Sequence, residues 1–554
     1  MAGGMDRLLW LLLAGGVLVF VFWPLAALFE RSFFVEGTFS LRLFQQTAPG
    51  YLPYLRNSVL VSGLSALLAL AVSICIALYE SYAVSRWRRW IMPLLLLTMV
   101  SPPFVSSLAY ITLFGRRGFI TNTLLGLSVS PYGWHGIVLM EALAEISITA
   151  LLLIGVLRGM DSRLLQASRD LGASSGDTLR RVVLPLLLPG IGAAGFLAFI
   201  RSLADFGTPM IIGGNFSVLA TEIYMMVIAR GDLARAAVLS LLLALPALAA
   251  LLFYRRTESM GVLSSMAGSR AAHEQQVLRL EGVWGKAAAF VTALFFGIML
   301  LQFVTILLTA ITRYTPSGYV FTSEYLSVFT QDKWRSVLRS IWYALLAGSA
   351  ASFLGVTLAY YMARRHFWGR RIMDLLTSLP YVIPGTLFGL GYVLAFHDEP
   401  LVLTGTAAIV VLNCTFRQIT VAVKAGTAVL SAVDPAVEEA ARDLGTPRIF
   451  ILRDIILPLL RPAVLVSFVN SFTATMMTIG AIIFLISPNA KVATAELFGL
   501  LNQGAYGEAA VLAVVLTLIT VAANLLLARV LSRSDLSEDE CGSTGKCCRR
   551  KEAV

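Results

Sequence analysis

Twelve runs of roughly twenty mainly apolar residues, spaced along a chain of 554, leave this sequence few folds to choose from. A helix rising about 1.5 Å per residue needs about that length to cross a hydrocarbon core about 30 Å thick, where each backbone polar group must be paired within its own segment. The runs lie near 8–28, 58–80, 91–114, 134–157, 184–204 and 236–254, then near 287–311, 341–362, 371–396, 404–430, 457–485 and 509–531. Hydrophobic residues make up 58% of the chain and charged residues only 14%, far from the composition of a water-soluble domain. The sequence predicts an all-α polytopic membrane protein with about twelve transmembrane helices. The first run is too long for the apolar part of a cleaved signal peptide and reads as an uncleaved anchor.

Basic residues orient the chain, because Lys and Arg are retained in cytoplasmic loops. With the N-terminus inside, Arg86, Arg88 and Arg89, then Arg255 and Arg256, then Arg364, Arg365, Arg370 and Arg371, and finally Arg549, Arg550 and Lys551 all fall on the cytoplasmic side. Both termini are then cytoplasmic. The net charge of +11 is scattered over short loops without a basic stripe or interleaved aromatics, which favours anionic inner-leaflet lipid over nucleic acid as the partner. Cys75 and Cys414 lie in apolar spans, and Cys541, Cys547 and Cys548 sit in a tail on the reducing side. They form no disulfide framework; the tail reads as reduced thiols, with metal binding or lipidation as alternatives.

The chain also repeats itself. Gln166-Ala167-Ser168-Arg169-Asp170-Leu171-Gly172, followed by Leu184-Pro185 and Pro189, returns 273 residues later as Glu439-Ala440-Ala441-Arg442-Asp443-Leu444-Gly445, followed by Leu457-Pro458 and Pro462. Arg88-Arg89-Trp90-Ile91-Met92 matches Arg370-Arg371-Ile372-Met373, Met160-Asp161 matches Val433-Asp434, and Gly231, Ala236 and Ala237 match Gly504, Ala509 and Ala510. A duplicated unit of six spans re-enters the membrane in the same orientation, so the two six-helix repeats are parallel and related by a pseudo-twofold axis along the membrane normal. The expected division is 1–256 for the first half, 257–286 for a polar cytoplasmic linker, 287–533 for the second half and 534–554 for a polar cytoplasmic tail. The longest outer segments, 29–57 and 312–340, read as polar loops, and no extramembrane segment is large enough to bury a core of its own.

Each repeated motif is a polar helix-forming segment closed by Gly, with Arg180 or Arg453 between that Gly and the Leu-Pro of the next apolar run. A short helix of this kind, lying along the membrane, can enter a groove on a partner while its Gly turns the chain where side-chain room is absent. A cytoplasmic loop reading Glu-Ala-Ala-x-x-x-Gly, with Leu-Pro about twelve residues on, resembles the motif of permease subunits in type I binding-protein-dependent ABC importers. The resemblance covers nearly the whole chain. It implies two copies of a cytoplasmic ABC ATPase, one docked on Gln166, Ala167, Arg169, Asp170 and Gly172 and the other on Glu439, Ala440, Arg442, Asp443 and Gly445, with the Ala and Gly positions closely packed. It further implies a periplasmic or lipid-anchored substrate-binding protein and a place in the bacterial inner membrane. ATP and Mg belong to the partner: Gly542-Ser543-Thr544-Gly545-Lys546 lacks Walker A spacing and is followed by Cys547, so no cofactor is expected on this chain and no metal ligands are assigned.

Gln166 and Ser168 stand where the second copy has Glu439 and Ala441, which leaves the equivalence of the two docking sites open. A single polypeptide with both halves resembles the ferric-iron, thiamine and phosphonate-type permeases. The segment Ser202-Leu203-Ala204-Asp205-Phe206-Gly207-Thr208-Pro209, continuing through Gly213-Gly214-Asn215-Phe216 to Ala220-Thr221-Glu222-Ile223-Tyr224, most resembles the ferric-iron group. A phosphonate, a sugar phosphate and thiamine are the alternative substrates.

Ionisable groups within spans are costly and face a cavity or a partner. Glu141 and Glu145 share one helical face, and the corresponding region of the second half carries Asn413 and Arg417, with Lys424 two turns further in. These residues either line the translocation path or form an interhelical pair, Glu145 with Arg417 across the axis. Arg201, Asp205 and the Gly-Thr-Pro break at 207–209 form a gate, a receptor-facing loop or a plain span end. Pro102-Pro103, Pro380 and Pro384 are hinge candidates. His135, His273, His366 and His397 are dispersed, with no Ser/His/Asp or metal cluster, which disfavours a membrane enzyme. An ion-coupled secondary transporter also fits two parallel halves but leaves the duplicated docking loop without a purpose.

Overall fold

The computed structural model describes residues 2–35, 37–99, 104–116, 118–126, 130–258, 278–280, 282–315, 318–365, 369–487 and 490–544. Most of the expected linker, Pro102-Pro103, His273, His366 and the tail from 545 lie outside the described residues. In chain order the helices of the first half are α1 (Met5–Phe33), α2 (Arg42–Tyr82), α3 (Arg88–Met99), α4 (Val105–Phe114), α5 (Trp134–Arg158), α6 (Ser162–Asp170), α7 (Ser175–Leu203), α8 (Gly207–Ile212), α9 (Leu219–Ile228) and α10 (Leu233–Glu258). Those of the second half are α11 (Gly282–Ile311), α12 (Gln331–Arg364), α13 (Arg370–Val382), α14 (Gly385–Ala395), α15 (Ala407–Leu430), α16 (Ala436–Asp443), α17 (Arg461–Met477), α18 (Ala493–Asn502) and α19 (Tyr506–Thr544). The two sets correspond element by element, except that α8 has a run of turns at 481–485 as its counterpart.

Among the described residues nine helices are long and apolar enough to cross a membrane, and α13 with α14 supplies a tenth, bent by 114°. The other two expected spans are shorter pieces. The run 91–114 forms α3 and α4, and the helix of 457–485 closes at Met477, where Thr478 is extended. The bend has a local cause: Pro384 has no N–H and disfavours helical backbone at Ile383, which is extended. The polar outer loops are also largely helix. A two-stranded hairpin at 34–39 leads into α2, which begins at Arg42 and runs through Pro49 and Pro53, and the second half repeats this with strands 312–315 and 318–321 before α12.

The two halves exchange their first helices. Leu13, Val17 and Val21 of α1 are buried in the core of the second half with Val356, Tyr361, Phe416 and Ile419. Ala288, Phe295 and Met299 of α11 are buried in the core of the first half with Ala69, Ile76 and Ile146. Pro24 cannot donate to the carbonyl of Phe20 four residues back, and the hydroxyl of Tyr392 on α14 donates to that carbonyl at 2.7 Å. At the other end of α1, the Tyr361 hydroxyl donates to the Asp6 carboxylate at 2.8 Å, and Arg365 pairs with the same carboxylate. Symmetrically, the N–H of Leu280, just before α11, donates to the carbonyl of Tyr82 at the end of α2. Because α1 starts beside the end of α12 and the chain crosses twice before α2 ends, the ends of α2 and α12 lie on one face of the membrane.

Within each half α2 or α12 crosses α5 or α15 along a seam of small residues. A methyl group on Gly355 would stand 2.4 Å from the Ala422 side chain and 3.0 Å from the Ile419 carbonyl, and one on Gly426 would stand 2.8 Å from Ala359. In the first half Ser73 bonds Thr149 and the carbonyl of Ile146 at this crossing. Without a hydrophobic drive between helices in lipid, such close backbone approach supplies the dispersion contacts that hold them. Gly355→Val should therefore destabilise the purified chain by about 1–3 kcal/mol. Gly297→Val, at a helix position with open space around it, should leave thermal unfolding almost unchanged.

Candidate docking sites and translocation path

Helices α6 and α16 leave the membrane after α5 and α15 and end alike. In the first, the N–H of Gly172 bonds the carbonyl of Arg169 at 2.8 Å and that of Ala173 the carbonyl of Ser168 at 3.1 Å; in the second, Gly445 bonds Arg442 at 2.8 Å and Thr446 bonds Ala441 at 3.1 Å. This paired closure requires a left-handed residue just past the helix, and Gly172 and Gly445 both have φ of +80°. Neither glycine has another atom of the chain within 4 Å of where a side chain would begin, so the turn, and not crowding within this chain, demands glycine.

The expected docking residues Gln166, Ala167, Arg169, Asp170, Gly172, Glu439, Ala440, Arg442, Asp443 and Gly445 are all exposed. Sequence reasoning missed Leu171 and Leu444. The glycine turns hold these two apolar side chains 87% and 86% exposed, one on each docking helix. An apolar residue directly before a helix-ending glycine was the available signal. Beside α6, Leu164, Ala167, Leu171, Gly172, Asp177, Arg181 and their neighbours line an open cavity of 560 Å³.

The inner faces of the two helices differ, and so does what anchors them. On α6 the buried residue is Leu165, while Ser168 bonds the Thr178 hydroxyl at 2.9 Å. The equivalents on α16 are Glu438, 3% exposed, and Ala441, 8% exposed. Glu438 pairs with Arg364 at 2.9 Å and Arg442 at 3.5 Å and accepts from the Tyr360 hydroxyl at 3.3 Å, while Arg364 also donates to the carbonyl of Val433 at 2.6 Å. Next to it, burial together with Arg448 and Arg442 pulls the Arg365 guanidinium below its ordinary range. In the first half the corresponding tie is Glu80 with Arg158 at 2.6 Å, which holds α2 to the end of α5 and not to the docking helix.

In the membrane interior the expected pairing of Glu145 with Arg417 is replaced by one within the first half. Arg201 on α7 donates from Nε to both oxygens of Glu145, at 3.0 and 2.8 Å. One N–H is thus shared by both oxygens, and the half-exposed Arg201 neutralises the buried carboxylate of Glu145 from the neighbouring helix. Glu141 is held by the hydroxyls of Ser65 and Ser202. Asp205 caps α8, accepting from the N–H of Gly207 at 2.8 Å and of Thr208 at 3.3 Å. Lys424 pairs with Asp374 at 3.4 Å. Among the described residues, both amide atoms of Asn413 and Nη1 of Arg417 are buried without such partners.

The Gly-Thr-Pro break closes on an aromatic cluster between the halves. Phe104, Phe206 and Tyr224 of the first half meet Phe498 of the second at centroid distances of 5.4 to 5.9 Å, and Phe484 stacks on Tyr224 at 6.3 Å. Among the described residues Phe104 is the one non-glycine with positive φ, +71°, and its ring fills the place a side chain on Gly207 would take. These rings lie beyond the end of α7 remote from the docking helices and seal the interface there. Further along, Arg201, which holds Glu145, meets Tyr381 and Arg417 between the halves.

For the Glu145–Arg201 pair, Glu145→Ala and Arg201→Ala should each destabilise the purified chain. The double substitution should cost less than their sum by roughly 0.5–3 kcal/mol, read by thermal unfolding of all four proteins. Glu145→Ala combined with Arg417→Ala should be additive.

Comparison with known proteins agrees with this architecture. The family model described as the binding-protein-dependent transport system inner membrane component matches the chain twice, over residues 69–259 and 351–535. The chain is similar to the ferric transport system permease protein FbpB of Actinobacillus pleuropneumoniae, 29% identical over 511 residues, covering 89% of this chain and 73% of the relative. It is similar to the putative ferric transport system permease protein FbpB 1 of Haemophilus influenzae, 30% identical over 494 residues, covering 86% and 77%. A molybdenum transport system permease protein, ModB of Mycobacterium tuberculosis, is 34% identical over 204 residues, 36% of this chain and 76% of its own. With the family unit present twice, and with α6 and α16 ending in the same glycine turn, the chain belongs to the inner membrane components of binding-protein-dependent transport systems, as a fused permease of two halves.

Proposed function

We propose that this permease imports ferric iron, driven by two copies of a cytoplasmic ABC ATPase that bind α6 and α16, with a periplasmic or lipid-anchored binding protein delivering the cargo to the opposite face. The observation that carries the substrate is similarity to ferric permeases along more than four fifths of the chain, both halves included. The ATPase partners are supported by the two matching helix ends, each presenting an exposed leucine beside a glycine turn. The docking face is then cytoplasmic, which places both termini inside, in keeping with the distribution of Lys and Arg.

The chain's own residues supply a path with two arrangements. With the aromatic cluster closed, the outer side is sealed while the charged residues further along lie between the halves; ATP binding on the partner supplies the free energy that shifts the population toward opening. A docking helix transmits that shift only if it is rigidly held. Glu438 and Arg364 tie α16 to α12, and Leu165 and Ser168 seat α6.

Deleting the gene should impair growth when iron is scarce and abolish energy-dependent uptake of labelled ferric iron. Unchanged ferric uptake, with loss of phosphonate, sugar-phosphate or thiamine accumulation, would overturn the iron reading. Gly445→Asp places a side chain and a charge at a left-handed position, at a backbone cost of about 1–2 kcal/mol. Co-purified ATPase should fall at least about tenfold, the effect of 1.4 kcal/mol, while the chain still inserts in the membrane. Gly172→Asp should act in the same direction.

A further inference from the structure

Arg417 is a cation of the membrane interior with no carboxylate in reach among the described residues. It lies ten residues into α15, about 15 Å along a helix of 24, and its Nη1 is buried without a hydrogen-bond partner. The guanidinium is aimed at the start of α14. A methyl group on Gly385, the first residue of that helix, would stand 2.7 Å from Nη1 of Arg417 and 3.0 Å from the amide nitrogen of Ala481.

Three further features share the site. Helix α14, eleven residues long, begins at the 114° bend, so its first amides have no helical carbonyl before them and present the positive end of its dipole. Thr386, its second residue, is completely buried and its hydroxyl has no partner. Asn413, one turn from Arg417 on the same face of α15, is also completely buried, with both amide atoms unpartnered. Arg201 approaches Arg417 from across the interface and Tyr381 from α13 of the same half, and Arg201 is already matched to Glu145. A half-buried cation set against the positive end of a helix, with its buried Nη1 among unpaired polar groups, is unfavourable unless a negative charge joins it.

We propose that Arg417, Thr386 and the amino end of α14 bind a small oxyanion within the membrane, and that iron passes this point as an anion-bearing complex and not as a bare cation. The second clause rests on the ferric reading above; the first does not.

The test is thermal unfolding of the full chain in lipid nanodiscs across a series of inorganic phosphate concentrations at constant ionic strength. The native chain should show a saturable rise of about 2–4 °C. Arg417→Gln should abolish it and Arg417→Lys should keep part of it. Phosphate also raises the stability of proteins generally by exclusion from their surfaces, a non-saturating rise that Arg417→Gln retains, whereas Arg42→Gln, which removes an exposed arginine at the start of α2, should keep the full saturable rise. Equal shifts in the native chain and Arg417→Gln overturn the site. Should Arg417→Gln fail to fold, Thr386→Val removes the hydroxyl at nearly constant shape and should raise the half-saturating phosphate concentration several-fold; an unchanged midpoint overturns the site equally. An Arg417-dependent phosphate shift in a chain that carries no ferric iron overturns the iron reading and leaves the anion site. Ferric uptake in a chain whose phosphate shift ignores Arg417 and Thr386 does the reverse.

Discussion

The exchange of α1 and α11 between the halves is the constraint on which the rest of the structure depends. A helix in hydrocarbon gains nothing from hydrophobicity against its neighbour; it is held by packing and by the few polar contacts it can complete. Helix α1 completes two with the second half, one at the Phe20 carbonyl freed by Pro24 and one at Asp6, and it buries Leu13, Val17 and Val21 there. With α11 placed likewise against the first half, neither half can rotate without carrying a helix that the chain joins to the other. The two halves are thereby interlocked across the interface that contains Phe104, Phe206, Tyr224 and Phe498.

That interface divides polar from apolar work. Each carboxylate of the first half in the interior is matched: Glu145 by Arg201, Glu141 by two hydroxyls, Asp205 by the amides of α8. The second half offers Arg417 and Asn413 without equivalents of those acids, because the positions 273 residues after Glu141 and Glu145 hold Cys414 and Gln418. Duplication gave the halves one backbone, and substitution has since made one half self-neutralised and the other electropositive. The interface therefore has two unlike walls, which a symmetric pair of halves could not offer.

Much of this was legible in the sequence, and the failures have physical reasons. The docking helices were readable because their signals are local: a helix-forming segment, a glycine at its end and a Leu-Pro opening the next helix. The seat of each inner face was not, since Leu165 and Glu438 differ in chemistry and only tertiary contact shows that both are buried anchors. The outer segments read as loops because of their polarity, yet α2 begins at Arg42 and runs through Pro49 and Pro53. Glu145 was matched with the wrong arginine because periodicity fixes which face a residue occupies but not its depth. Arg201 reaches it from the same half, 56 residues away. The bend at Pro384 was signalled by the proline itself, whereas its size of 114° depends on what α14 packs against.

Helices α6 and α16 end in identical turns but rest on different foundations. Helix α6 is seated by a leucine in an apolar pocket and one hydroxyl pair, contacts that are short-ranged and nondirectional. Helix α16 is seated by a buried carboxylate gripped by Arg364, Arg442 and Tyr360, with Arg364 also bound to the carbonyl of Val433 before the helix. Removing one member of such a network leaves a buried charge, so it resists displacement more steeply than an apolar seat and transmits small movements with less slack. Because Tyr361 and Arg365, adjoining this network, also hold Asp6, the same movement reaches the start of α1 and through it α14, the half-helix that opens toward Arg417. Helix α16 is thus linked by direct contacts to the start of α14 beside Arg417, while α6 is joined to the membrane helices through apolar packing.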